Sequence, residues 1–407
     1  MRILLTNSPL GRKQDIIYPL GLAYIASVIA ENEIQCLDQS NALPPFAQLT
    51  GKLKDFGPEV VGISLRNIDS LTSSDIYSFF QSFVEIVVHI KKHSPDAVII
   101  TGGAGFSLFG REVMEQVPEI DFGVYLEGEE TFPDLLNHLD DPQFVKGIYY
   151  REGNEIIFTG IRKPVDFDQV SIPRRDVFDV SDYDGPFGVG VQTKRGCAFD
   201  CIYCTYPFLT GNQLRLRSPI KIGEEIEILY RDFHVREIYF TDNVFNTPVA
   251  HAAAICEEII RRKLEISWTA YFSEKSISED FVKLALESGC KKFTFAPDGS
   301  NNPALKQLGK GTKREELIDA YQILENLGAR FSCSFIWNYP GIGWRDLYDL
   351  ISLVARLMRM KNLVGLGFTS MRILPNTRLF NIAVDEGYIQ EGDNLISPRY
   401  YDPFPGN

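Results

Sequence analysis

Two segments, Val60-Val61-Gly62-Ile63-Ser64-Leu65 and Val98-Ile99-Ile100, are apolar on both faces of an extended chain. Strands of this kind are stable only when helices cover their sheet from two sides, which commits the chain to an α/β layer fold with a parallel sheet. The flanking sequence supplies the helices. Strands are expected at Arg2–Thr6, Ile34–Leu37, Val60–Leu65, Ala97–Thr101 and Phe122–Leu126. Helical patterns fall at Gly21–Glu31, Ile76–Lys92, Arg111–Gln116 and Glu130–Leu139. This alternation suits a doubly wound, Rossmann-like or flavodoxin-like domain, whose ligand crevice lies at the C-terminal strand ends.

At 407 residues the chain exceeds the usual size of one domain. A Rossmann-like domain is expected over 1–145, a hairpin and linker over 146–187, a second domain over 188–390 and a short tail over 391–407. The hairpin is signalled by apolar runs flanking Glu152-Gly153-Asn154, and the linker by Pro164, Pro173 and Pro186. From Gly188 the alternation resumes, with strands expected at Val189–Thr193, Glu237–Thr241, Ile266–Tyr271, Lys292–Phe295, Arg330–Trp337 and Leu366–Ile373. Helices are expected between them, at Ile220–Arg231, Ala250–Lys263, Glu279–Ser288, Arg314–Leu327 and Trp344–Met360. Six such units are too few for a closed eight-stranded barrel and imply an open, partial (β/α)6 barrel of TIM type.

Composition excludes several classes. With 44% hydrophobic and 23% charged residues, the chain is neither a disordered tail, a collagen nor a coiled coil. A net charge of −13 is wrong for gripping a phosphate backbone, so nucleic acid is not an expected partner. No window approaches the run of about 18 apolar residues that a spanning helix needs, so no membrane partner is expected. Met1-Arg2-Ile3-Leu4-Leu5 meets polar Asn7 too early for a secretory segment, and a cytoplasmic protein is expected.

Seven cysteines without an export signal read as reduced thiols. Cys36, Cys256, Cys290 and Cys333 sit singly in apolar settings and read as inert buried groups. Cys197, Cys201 and Cys204 instead crowd into Arg195-Gly196-Cys197-Ala198-Phe199-Asp200-Cys201-Ile202-Tyr203-Cys204, directly after the first strand of the second domain. Three thiolates spaced CxxxCxxC can wrap one soft metal centre, an iron–sulfur cluster or zinc. Structural zinc usually takes four ligands from paired knuckles, and neither a second knuckle nor a nearby histidine completes such a set. A redox cluster with one open position is the favoured reading.

These cysteines, with Tyr203 just before the third, resemble the motif of the radical S-adenosylmethionine (radical SAM) superfamily. Glu237-Ile238-Tyr239-Phe240-Thr241-Asp242-Asn243, Leu308-Gly309-Lys310-Gly311, Tyr339-Pro340-Gly341 and Leu374-Pro375-Asn376-Thr377 look like its later signatures. The likeness implies a 4Fe–4S cluster on the three cysteines, with S-adenosylmethionine on the open iron and cleaved to a 5′-deoxyadenosyl radical. An electron donor of flavodoxin or ferredoxin type is implied with it. Tyr203, Asp242 and Asn243 are implied as S-adenosylmethionine contacts. Where many members carry Glu-Ser after the fourth strand, this chain reads Phe295-Ala296-Pro297-Asp298-Gly299-Ser300. That leaves Asp298 or Ser300 for the ribose hydroxyls, or makes Asp298 a plain turn residue. Arg372 is left between a ligand contact and a structural salt bridge. Trp337 and Tyr339 are left between the substrate cavity and a core or rim role.

The first domain resembles the cobalamin-binding domain of class B radical SAM enzymes. The likeness is carried by Tyr18-Pro19-Leu20-Gly21-Leu22, Gly62-Ile63-Ser64-Leu65-Arg66-Asn67, Gly102-Gly103-Ala104-Gly105-Phe106-Ser107 and Leu126-Glu127-Gly128-Glu129-Glu130. It implies cobalamin contacts from Asn7, Ser8, Gly21, Leu65, Arg66, Asn67, Gly102, Gly103, Gly105, Phe106, Ser107, Glu127, Gly128 and Glu129. Glycines at these strand ends would let the backbone approach a bulky ligand. The Asp-x-His-x-x-Gly motif of other cobalamin proteins is missing, since the chain reads Asn7-Ser8-Pro9-Leu10-Gly11 after its first strand. Cobalamin is therefore expected without a histidine ligand, with Arg66 or Asn67 beneath the corrin. With only Cys36 in this domain, the second cluster of methylthiotransferases is excluded.

Together the resemblances imply methylation of an unactivated carbon in a small-molecule or peptide substrate, through methylcobalamin and the deoxyadenosyl radical. No side chain is assigned as nucleophile, because the cofactors carry the hard chemistry. A non-methyl outcome, such as cyclisation or ring contraction, needs the same loops and stays open. A non-catalytic cluster or cobalamin sensor is a third reading. The short stretch after Tyr388 leaves the cleft open, closed by the linker, or completed by a partner or second subunit.

Overall fold

The computed structural model describes residues 1–8, 16–41, 46–71, 73, 76–183, 185 and 187–403. Pro9, Leu10, Gly11 and Pro186 lie outside the described residues. Two compact units divide the chain: Met1–Leu71 with Asp75–Tyr183, and Thr72–Ser74 with Asp184–Asn407.

The first unit contains strands β1 (Arg2–Asn7), β2 (Glu33–Leu37), β3 (Val60–Ser64), β4 (Val98–Gly102), β5 (Phe122–Val124), β6 (Ile148–Glu152) and β7 (Glu155–Phe158). They form one sheet in the order β2-β1-β3-β4-β5-β6-β7. The first five strands are parallel, as their two-sided apolar runs require. The chain steps outward from β1 to β2 and then places β3 on the other side of β1. Their C-terminal ends therefore flank the switch point at which doubly wound sheets bind ligands. Ile3, Leu4, Leu5, Val61 and Ile99 are fully buried here.

Two features differ from expectation. The hairpin β6–β7 is no connector: Phe122, Gly123 and Val124 pair antiparallel with Tyr150, Tyr149 and Ile148, so it completes the sheet. The segment that follows packs back on the same unit. Tyr18 meets Phe178 and Tyr183 edge-on, with ring centroids 5.7 and 5.2 Å apart. The Tyr18 hydroxyl donates to Arg174 O at 3.0 Å, and Tyr183 donates to Asp38 Oδ2 at 2.5 Å. The second difference is an unanticipated helix, Ala47–Phe56, which buries Leu49, Leu53 and Phe56. Gly51 and so sparse an apolar stripe hide it from a periodicity reading.

The second unit contains β8 (Gly190–Val191), β9 (Lys194–Arg195), β10 (Arg215–Leu216), β11 (Glu237–Phe240), β12 (Ser267–Phe272), β13 (Cys290–Asp298), β14 (Phe331–Ile336) and β15 (Leu363–Thr369). Six of them make a sheet in the order β15-β14-β13-β12-β11-β8, parallel throughout, while β9 and β10 form a separate antiparallel ladder. Because β8 and β15 are the two ends of that order, the barrel is open. Its core is aromatic. Phe240 stacks on Phe245 at 4.6 Å and lies edge-on to Trp268 at 5.2 Å, and Phe272 meets Phe293 at 4.7 Å. Truncating one such ring to alanine costs about 3–5 kcal/mol.

The first and last barrel strands depart from their expected bounds for physical reasons. The first ends at Val191 because the Asp242 carboxylate takes the Thr193 and Lys194 amides from the ladder. The last ends at Thr369 because Met371 N turns to Asn338 Oδ1, and Arg372 bridges to Tyr400 in the tail. Among the described residues, no helix is long and apolar enough to cross a membrane.

Candidate functional site

In the second unit, Cys197, Cys201 and Cys204 lie on one loop between β9 and the helix Tyr206–Thr210. Backbone bonds fix it from three directions: Cys197 N to Gly211 O at 3.0 Å, Ile202 N to Leu308 O at 3.1 Å, and Leu379 N to Ile202 O at 2.7 Å. Arg378 adds an ion pair to Asp200 at 2.6 Å. Gly309 has φ +73°, and a Cβ there would stand 2.1 Å from Asp200 O. Only glycine lets that turn touch the cysteine loop.

Burial raises all three thiols, Cys204 to about 12, so they carry protons near neutral pH until a metal displaces them. Among the described residues, no group of three or more His, Cys, Asp or Glu is placed to hold a single metal ion. Ligands of a tetrahedral zinc converge on one point, whereas thiolates that each take a different iron of a cluster stand apart. Three thiols on one loop, each able to take a different iron, are the donor set of a 4Fe–4S cluster with one open position.

Beside this loop, buried Asp298 forms a triad with half-buried Tyr203 and Lys310. Tyr203 donates its hydroxyl to Asp298 Oδ2. Lys310 Nζ donates to the same oxygen at 2.7 Å and to the Tyr203 hydroxyl oxygen at 3.3 Å. Burial opposes the charge on Lys310, yet the Asp298 carboxylate outweighs it and holds the ammonium well above its usual range. Asp298 thus takes both hydrogen bonds on Oδ2 from a turn position with φ +61°, and Tyr203 faces it. Nearby, Tyr321 donates to Glu274 Oε1 at 2.9 Å, and burial pushes Glu274 up to about 7.

Several other candidates are committed to the fold. Asp242 is buried and accepts from Thr193 N at 2.8 Å, Thr193 Oγ1, Lys194 N at 3.2 Å and Lys194 Nζ at 3.1 Å, which leaves nothing for a ligand. Arg372 donates to Ile373 O and to Leu395 O at 2.7 Å, which fastens the tail. Ser300 is buried, with its hydroxyl 3.5 Å from Asp346 O. Tyr339 is only 4% exposed and belongs to the core, whereas Trp337 at the end of β14 is 42% exposed. Asn243 lies half-buried in the bend after β11. Sequence reasoning missed Thr193, Lys194 and Asn338. It quoted Lys310 only as part of a signature.

In the first unit, parallel β1, β3, β4 and β5 carry their following loops to one edge of the sheet. The glycines there serve a contact that the sequence did not show. A Cβ on Gly103 or Gly105 would stand 2.7 or 2.9 Å from Leu65 O, and Gly105 N donates to both Leu65 O and Arg66 O. The β4 loop thus lies directly on the β3 loop and props up Leu65-Arg66-Asn67. Phe106 is fully buried against Gly123 and edge-on to Tyr149, not toward a ligand. Ser107 accepts from Leu126 N at 2.9 Å and donates to Gly103 O, tying the β4 and β5 loops.

Asn7 spends its amide on Asp38, Ser40 and Gln39 N, and Ser8 bonds Phe79 O. Glu127 accepts from Val165 N at 2.9 Å, Glu129 is buried, and Gly128 packs on Ile25. Gly21 and Gly102 leave open or ordinary space. Arg66 is exposed, Asn67 is half-buried and Leu65 is fully buried. His89 and His93 lie on the helix Phe79–His93 and His138 follows another helix, so none stands on these loops. The edge presents backbone groups and the exposed Arg66, a lining that fits cobalamin at a strand-end crevice.

Residues 191–354 match the radical SAM superfamily, and residues 11–136 match the B12 binding domain. The chain is 30% identical over 375 residues to an uncharacterized methyltransferase of Pyrococcus horikoshii, covering 90% of this chain and 78% of that protein. It is 26% identical over 391 residues to the cytidylyl-2-hydroxyethylphosphonate methyltransferase of Streptomyces wedmorensis, covering 79% of this chain and 69% of that one. The radical S-adenosylmethionine methyltransferase TsrM from Kitasatospora setae, solved with cobalamin and a 4Fe–4S cluster bound, shares the fold. Its TM-score is 0.83 at 20% identity, over 95% of this chain and 75% of that one. The chain belongs to the radical SAM superfamily, among the members with a B12 binding domain ahead of the radical SAM domain, and takes a 4Fe–4S cluster, S-adenosylmethionine and cobalamin as its cofactors.

Proposed function

We propose that the chain methylates a carbon of a small organic molecule. The observation that carries this reading is the pairing, in one chain, of a buttressed three-cysteine loop with a histidine-free corrin edge bearing Arg66. When bound, the cluster supplies one electron to S-adenosylmethionine and cobalamin carries the methyl group. The side chains orient and shield. Cys197, Cys201 and Cys204 would hold the cluster, and Asn243, half-buried after β11, would contact the methionine end of S-adenosylmethionine. Arg66, always protonated and without a lone pair, would face bound cobalamin and would keep water from its metal. Exposed Trp337 offers a flat apolar face to the substrate. A one-electron donor of flavodoxin or ferredoxin type serves the cluster. The relatives named as methyltransferases support this reading, and others named as cyclases keep cyclisation as the second one. Anaerobic turnover with methyl-labelled S-adenosylmethionine and metabolites of neighbouring genes tests it: the product should gain one labelled methyl group, and a product without that gain would sink the proposal.

A further inference from the structure

The turn Leu308-Gly309-Lys310-Gly311 touches the cysteine loop, yet the function above leaves its lysine without a part. Lys310 is poorly exposed, at 16% of its side chain, and its partner Asp298 is 5% exposed. The ammonium has one defined position, 2.7 Å from Asp298 Oδ2 and 3.3 Å from the Tyr203 hydroxyl oxygen. Both ends of this triad are attached to the cysteine loop. Tyr203 directly precedes Cys204, and Leu308 O accepts from Ile202 N at 3.1 Å. The positive charge of Lys310 acts on each of Cys197, Cys201 and Cys204, and the Asp298 carboxylate opposes it at Cys201. In a buried setting a fixed charge is felt far more strongly than in water.

A cluster on three thiolates becomes one unit more negative when it takes up an electron. A cation fixed beside it therefore stabilises the reduced state more than the oxidised one. We infer that Lys310, oriented by Asp298 and Tyr203, sets the reduction potential of the cluster on Cys197, Cys201 and Cys204 and raises it toward the reach of a one-electron donor. The step it favours is transfer of one electron from that external donor to the cluster. No bond breaks, and Lys310 keeps its proton in both states. Lys310 is a positioning residue, tuning the cluster without ligating it. The inference rests on the three cysteines being the cluster ligands.

The test is a potentiometric titration of the reconstituted full chain, followed by the low-temperature EPR signal of the reduced cluster. Lys310→Met and Lys310→Gln are expected to keep the cluster but lower its midpoint. At a fixed ambient potential the ratio of reduced to oxidised cluster should fall about tenfold, equivalent to ~59 mV for a one-electron couple. Lys310→Arg keeps the charge and should titrate close to the wild type. Neutral variants that titrate with the wild type would overturn the inference, as would an arginine variant that falls as far as they do. Loss of the cluster from both neutral variants would overturn it too, making Lys310 a scaffold residue. A wild-type protein with no reducible cluster signal would instead refute the cluster itself.

Discussion

Asp242 accepts four hydrogen bonds, two from the backbone and two from the side chains of Thr193 and Lys194, and a carboxylate has about four acceptor sites. Its place at the end of β11 was legible in the sequence. Its partners were not, because they depend on the register that sets Tyr239 beside Gly190. Asp242→Ala leaves the buried Lys194 ammonium unpaired and should destabilise the cofactor-free protein by about 3–5 kcal/mol. An unchanged Tm with weakened S-adenosylmethionine binding would restore the ligand role. Glu274 tests burial in another way. Its folded pKa, about 7, lies above the ordinary carboxylate value, so the stability it contributes is present in acid. That contribution is lost as pH rises through the folded value. Glu274→Gln should therefore gain in Tm over the wild type between pH 5 and pH 8, and a constant difference across that window would show that the carboxyl does not titrate there.

At the scale of elements, most strands and helices followed from apolar periodicity, and the glycine loops were recognised without their contact to Leu65. They were expected to make room for a ligand. Gly103 and Gly105 also make room for the Leu65 carbonyl. Such backbone-to-backbone approach leaves no trace in the pattern beyond the glycine itself. In consequence, Gly105→Val should act through Arg66: bound cob(II)alamin should give the same altered EPR spectrum, with an added axial water, as Arg66→Ala. Gly153→Asn, in the open turn of the β6–β7 hairpin, should leave the spectrum alone. If Gly105→Val abolishes binding while Arg66→Ala changes nothing, Arg66 does not guard that face. The missed helix Ala47–Phe56 and the shortened β8 have a common cause, since one is held by packing and the other is cut by a side chain from elsewhere in the sequence.

At the scale of the whole molecule, the boundary between units was the least legible feature. Prolines and weak periodicity suggested a linker, but Tyr18, Phe178 and Tyr183 form an aromatic knot that seals the first unit at Tyr183. A fragment Met1–Tyr183 should fold and bind cobalamin. Met1–Leu139, which exposes the β5 edge and drops this knot, should melt lower and fail to retain the corrinoid on gel filtration. Equal binding by the two fragments would make the hairpin dispensable.

The strand order of the second unit also bears on how the chain acquires its shape. From β8 through β11 to β15, each sheet strand lands beside the one made just before it. The structure can grow by accretion, and no strand has to wedge between two finished neighbours. Short-range pairing of this kind lowers the entropic toll of loop closure and favours fast folding. The first unit has no such luxury, because β1 waits for two partners made later and ends up between them. During synthesis, the domain that emerges first is thus the one whose sheet must be completed out of order.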